Sequence, residues 1–208
     1  MSIQEIFNAV LAFDEATVKA KTQAEIDAGT DIGSILNEGL ISAMDEVGER
    51  FSAGELFVPE MLMAAQAMKA GLEVLRPLLA DTDAKPKGTL VIGTVKGDLH
   101  DIGKNLVSMM LEGAGFQVVD LGVDVDTDKF LAAAAEHKAD ILCMSALLTT
   151  TMPAMEATVA TIKEKGLGLK PMEGGAPVTE AFAQKIGATG YSEDAPGAVE
   201  LARRLLAA

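Results

Sequence analysis

Two hydrophobic rhythms divide the chain. From the start to about residue 80, apolar positions recur at helical spacing. Ile3, Ile6, Phe7, Val10, Leu11 and Phe13 form one stripe. Asp14 is placed to cap a second helix, which ends near Gly29. Asp31 is placed to cap a third, with Ile32, Ile35, Leu36, Leu40, Met44, Val47 and Phe51 on its buried side. Gly54 punctuates it, and Pro59 suits the first turn of a fourth helix carrying Met61, Leu62, Met68, Leu72 and Leu75. Four amphipathic helices with short connections predict a small bundle.

From residue 89 the rhythm changes. Short apolar runs at 89–95, 117–122, 139–146, 170–175 and 189–192 predict strands. Helical patterns fill 102–114, 127–137, 153–165, 179–186 and 195–206. Gly113 and Gly115 stop the first of these, and Asp194 caps the last. Five strand–helix units predict an α/β fold, a five-stranded parallel sheet with helices on both faces, of the flavodoxin/Rossmann-like kind. The flavodoxin-like order is favoured, because no G-x-G-x-x-G opens a helix after a strand. Residues 81–88 are polar, charged and broken by Pro86 and Gly88, which marks a linker. The expected domains are a helical bundle over 1–85 and an α/β domain over 88–208.

Composition narrows the function. Of 208 residues 31 are acidic and 17 basic, a net charge of −14, so the chain has no electrostatic route to nucleic acid or anionic lipid. Its one cysteine, Cys143, excludes an internal disulfide and fits a reducing compartment. The N-terminus lacks the pattern of a signal peptide, and no apolar run is long enough to span a membrane. A cytoplasmic protein is expected. Cys143 reads as a buried strand residue and His137 as a solvated helix residue, and neither stands at zinc-ligand spacing.

The stretch that carries chemistry is Val-Lys-Gly-Asp-Leu-His-Asp-Ile-Gly-Lys-Asn, residues 95–105. Asp98 and His100 fall in the loop between the first strand and its helix, at the edge of the sheet where ligands bind. A carboxylate two residues from a histidine can fix the imidazole tautomer and leave the other nitrogen for a metal. Asp98-x-His100-x-x-Gly103 has the form of the cobalamin-binding signature of proteins that bind the cofactor with its own base displaced. The surrounding residues, among them Leu99, Asp101 and Ile102, resemble the cobalamin domain of methionine synthase and of the corrinoid proteins that serve methyltransferases.

The resemblance extends to other strand ends. It implies that Ser145, Leu147 and Thr149, after the third strand, line the slot for the displaced dimethylbenzimidazole tail. The hydroxyl that bonds the aspartate falls at Thr151, where methionine synthases carry Ser. Gly174 and Gly175 leave room for the nucleotide, and Tyr191 and Ala195 touch it. Glu173, just before the two glycines, is read as the partly exposed end of a strand. In the resembled family a four-helix module covers the upper face of the corrin, which makes Phe57 and Met61 candidates for apolar cover over the methyl group. A linker at 81–88 would let that cap move aside.

By the same resemblance, His100 is the lower ligand of cobalt through Nε2, Asp98 accepts from Nδ1, and Thr151 supports Asp98. The chain then looks like a corrinoid carrier, not catalytic alone, that shuttles a methyl group on cobalamin cobalt. Its implied partners are a substrate-specific methyltransferase, an acceptor methyltransferase using tetrahydrofolate or coenzyme M, and a reductive activator of cobalt(II). Methyl ethers, methanol, methylamines and betaine are all possible donors for such a protein. The alternatives are a cobalamin-dependent sensor or regulator and the B12 subunit of a mutase.

Overall fold

A computed structural model describes residues 3–79 and 86–207. These fall into two compact units, one ending at Pro86 and one beginning at Lys87, with the turn at 113–115 grouped apart from the second. Residues 81–85 of the expected linker lie outside the described residues.

The first unit is helical: α1 (Ile3–Leu11), α2 (Glu15–Asp27), a run of α3 (Ile32–Ser34), π-helix (Ile35–Ile41) and α4 (Ser42–Ser52), then α5 (Val58–Leu79). Both expected aspartate caps are in place. Asp14 accepts the Thr17 N–H at 3.0 Å, and Asp31 accepts the Ser34 N–H at 2.8 Å. The expected third helix is continuous but not uniformly α. Its π-helical middle keeps Ile35, Leu36, Leu40 and Ile41 all buried, a wider apolar face than an α stripe allows. Gly39 sits in that segment, where an added Cβ would stand 3.3 Å from Ile6. Glu60 accepts the Phe57 N–H at 2.8 Å and so closes the head of α5.

The second unit alternates β1 (Thr89–Thr94), α6 (Ile102–Gly113), β2 (Gln117–Asp120), α7 (Thr127–His137), β3 (Ile141–Ser145), α8 (Met152–Glu164), β4 (Lys170–Gly174), α9 (Glu180–Ile186), β5 (Gly190–Tyr191) and α10 (Ala195–Ala207). All pairings are parallel, in the order β2-β1-β3-β4-β5. Val91, Leu142 and Met144 belong to one buried cluster with Phe130 of α7 and Met155 and Val159 of α8. Leu90, Ile92, Cys143 and Met172 alternate with them and are buried too, so both sheet faces are covered. The chain leaves β1 for β2 on one side and returns to β3 on the other. The carboxyl ends of β1 and β3 therefore flank the switch point of the sheet.

Glu173 departs from expectation. It is 1% exposed, paired in register between Met144 and Tyr191, and neither carboxylate oxygen has a hydrogen-bond partner among the described residues. It stands between two paired strands and is buried, so it is not a strand end reaching water.

Candidate functional site

The site is the loop after β1, residues 95–101, set against the loop after β3, residues 146–151. The Asp98 N–H closes a turn onto the Val95 carbonyl at 3.1 Å. Gly97, at φ +83°, makes that turn possible. The turn drives the Asp98 side chain inward, where it is fully buried.

Five donors meet this carboxylate. Oδ1 accepts the His100 N–H at 3.1 Å and lies 2.9 Å from His100 Nδ1. Oδ2 accepts the Leu147 N–H at 2.8 Å, the Leu148 N–H at 3.2 Å and the Thr151 hydroxyl at 2.8 Å. Burial works to raise the Asp98 pKa. The bonds from Leu147, His100 and Thr151 outweigh burial and hold it well below the usual carboxylate range. An ionised carboxylate only accepts, so Nδ1 carries the proton and donates. In the neutral ring that leaves the Nε2 lone pair open, on a side chain 53% exposed. The His100 carbonyl accepts the Thr94 hydroxyl at 2.8 Å, which pins the backbone as well as the ring.

The structure thus brings Asp98, His100, Leu147 and Thr151 together. The Thr151 methyl is accommodated: it lies 3.6 Å from where a Cβ on Gly97 would stand. The Thr151 hydroxyl also lies 2.8 Å from the Leu148 carbonyl, so its one proton is shared between two acceptors. Leu99, Ile102, Leu147 and Leu148 are large apolar side chains left exposed beside His100. Asp101 and Thr149 are exposed, and Asp101 accepts from Asn105 at 3.1 Å. Ser145 ends β3 in register with Gly174. Tyr191 is half-buried at the end of β5, and Ala195 is buried at the start of α10. In the helical unit Phe57 is exposed at the head of α5, and Met61 is fully buried one turn on.

The glycines separate by cause. A Cβ on Gly175 would stand 1.9 Å from the Ala146 carbonyl oxygen, and its φ is +125°, so the protein itself demands glycine there. On Gly174 the nearest atom would be the Ser192 carbonyl at 3.4 Å, and on Gly103 nothing lies within 4 Å. Bare backbone at these two positions has no cause in the packing. It suits a flat ligand and its tail lying against the chain.

Three features carried no clear sequence signal. The Leu147 and Leu148 N–H groups act through backbone, which side-chain patterns do not reveal. Thr94 reads as an ordinary strand end. Lys104, buried in α6, pairs with Asp120 at the end of β2 and with Asn105 at 2.6 Å, which ties helix to strand beside the site.

Among the described residues no cluster of three His, Cys, Asp or Glu could hold a bare ion. A single free imidazole beside an apolar floor fits a metal that arrives inside a macrocycle. Fold and site define a B12-binding protein, and B12 binding domain models match residues 2–76 and residues 88–200. Dimethylamine corrinoid protein 1 of Methanosarcina acetivorans is 45% identical over 99% of this chain and 97% of its own length. Trimethylamine corrinoid protein 2 of the same organism is 45% identical over 92% of this chain and 90% of its own. In the crystal structure of the methanol:cobalamin methyltransferase complex MtaBC from Methanosarcina barkeri, a chain superposes with a TM-score of 0.89. It is 35% identical, over 99% of this chain and 80% of that one. This chain belongs to the corrinoid proteins, and its cofactor is cobalamin or a related corrinoid. No described helix is long and apolar enough to cross a membrane.

Proposed function

We propose that this protein carries a methyl group between two methyltransferases, holding its corrinoid base-off with His100 as the lower ligand of cobalt. One methyltransferase would take the methyl group from a small methylated compound. The other would pass it to an acceptor such as tetrahydrofolate or coenzyme M. The names of the dimethylamine and trimethylamine relatives favour a methylamine as donor. The observation that carries the reading is the Asp98–His100 pair at the switch point, with Nδ1 engaged and Nε2 open.

The bound corrinoid supplies a cobalt centre that accepts and releases the methyl group. The chain's residues do the rest. Asp98 fixes the Nε2 lone pair outward, and Leu147, Leu148 and Thr151 fix Asp98. Ser145, Leu147, Thr149, Gly174, Gly175, Tyr191 and Ala195 are assigned to the nucleotide tail. Phe57 and Met61 are assigned to the methyl-bearing side. The expected partners include a reductive activator that returns oxidised cobalt to use.

The test is transfer itself. The holoprotein, reduced anaerobically, is mixed in turn with dimethylamine, trimethylamine and methanol methyltransferases and their substrates, and cobalt methylation is followed by visible absorbance. Methylation by an amine enzyme is the expected result. Retained corrin that no methyltransferase methylates would contradict the carrier reading.

A further inference from the structure

Asp98 grips the ligand loop from inside the domain, and a second aspartate grips it from outside. Asp124 follows β2 and stands at φ +54°, a conformation that aspartate tolerates better than most residues. Its N–H donates to the Asp98 carbonyl at 3.0 Å. Its Oδ1 accepts the Gly97 N–H at 2.8 Å, and its Oδ2 lies 3.3 Å from Lys96 Nζ. One residue thus brackets the Gly97–Asp98 peptide with two hydrogen bonds.

The bracket is itself anchored. Val125 bridges Val95 in parallel, the Val125 N–H donates to the Thr94 carbonyl at 3.0 Å, and the Thr94 N–H donates to Gly122 at 2.9 Å. Residues 122–125 therefore prolong the pairing of β1 with β2 past the strand ends. Thr94, held in that ladder, gives its hydroxyl to the His100 carbonyl.

We propose that Asp124 is a positioning residue for His100: it locks the Gly97 pivot from the solvent side, so that Asp98 keeps the imidazole aimed outward. The proposal rests on the reading of His100 as the axial ligand. Gly97 is the loop's point of greatest conformational freedom, and its N–H bonds to the Asp124 carboxylate. With that bond gone, the Asp98 backbone can rotate about Gly97, and the imidazole loses its fixed direction.

Two variants separate the parts. Asp124→Gly keeps the backbone conformation and removes the acceptor. Asp124→Asn keeps both the conformation and an oxygen acceptor. Each is loaded with cobalamin and reduced to the cobalt(II) form. The proteins are made with histidine labelled with heavy nitrogen, and the fraction of the paramagnetic resonance signal split into the doublet of a labelled axial nitrogen is then measured. Exchange of the Gly97 amide is followed in the cofactor-free proteins. The expected result is full splitting in wild type and Asp124→Asn, and a reduced split fraction in Asp124→Gly. In Asp124→Gly the Gly97 amide should also exchange about five- to tenfold faster, the effect of one lost hydrogen bond. Equal splitting and equal exchange in Asp124→Gly overturn the proposal, as does loss of splitting in Asp124→Asn alongside Asp124→Gly. A wild-type signal without the doublet, whether unsplit or a triplet, instead removes His100 as ligand. Should Asp124→Gly not fold, wild type still decides: a Gly97 amide exchanging as fast as an unstructured one overturns the bracket.

Discussion

Two buried carboxylates in one domain face opposite ways chemically. Asp98 stays ionised because five donors converge on it. Glu173 has no donor among the described residues, and burial pushes it up to about 8. The linkage signs follow. Asp98 binds its proton less tightly in the folded chain, so its contribution is present above the ordinary carboxylate range and is lost on strong acidification. Glu173 binds its proton more tightly when folded. Its contribution is full below 4.5 and is lost as pH rises to about 8. Urea unfolding of the cofactor-free protein should therefore show stability falling across that window, and Glu173→Gln should flatten the fall. An equal slope in both proteins would place the titration elsewhere. The glycine pair makes a second residue-scale test. Gly175→Ala should destabilise the fold, because its Cβ meets backbone. Gly174→Ala should change stability by less than about 1 kcal/mol and still weaken corrin retention, measured by equilibrium dialysis.

At the scale of elements, much was legible because it is written in local chemistry. Asp14, Asp31 and Asp194 each precede a helical pattern, and each accepts a backbone N–H of the helix it starts. The five strands stand where the apolar runs stand, trimmed by a residue or two at their ends. The π-helical segment was not legible, because apolar residues at 35, 36, 40 and 41 satisfy an α stripe equally well. Glu173 was misread for a related reason: a charged residue beside two glycines looks like an exit from the sheet, and only the neighbouring strands reveal its burial. The tie between α6 and β2 yields a further test. Asp120→Ala leaves the Lys104 ammonium buried with Asn105 alone and should cost about 3 kcal/mol. Lys104→Met replaces the charge with an apolar chain of similar length and should cost less. Thermal unfolding of the two variants checks the order, and a larger loss for Lys104→Met would contradict it.

At the scale of the whole molecule, the resemblance carried by residues 95–105 pointed to the family that the full-length relatives show. The spacing marked His100 and its carboxylate partner Asp98, and the resemblance pointed to the Thr151 hydroxyl that the structure sets on Asp98. The sequence could not show the two backbone donors from the β3 loop or the Asp124 bracket, since these exist only once the switch point brings distant loops together. The central claim is that His100 holds the cobalt. Its most direct test is the cobalt(II) resonance spectrum of holoprotein made with histidine labelled with heavy nitrogen. The chain has two histidines, and the second, His137, is exposed on α7. The expected result is an axial nitrogen splitting that changes from a triplet to a doublet pattern on labelling and is absent from His100→Ala. A triplet that survives labelling would mean that the cofactor's own base holds the metal, and would contradict the account.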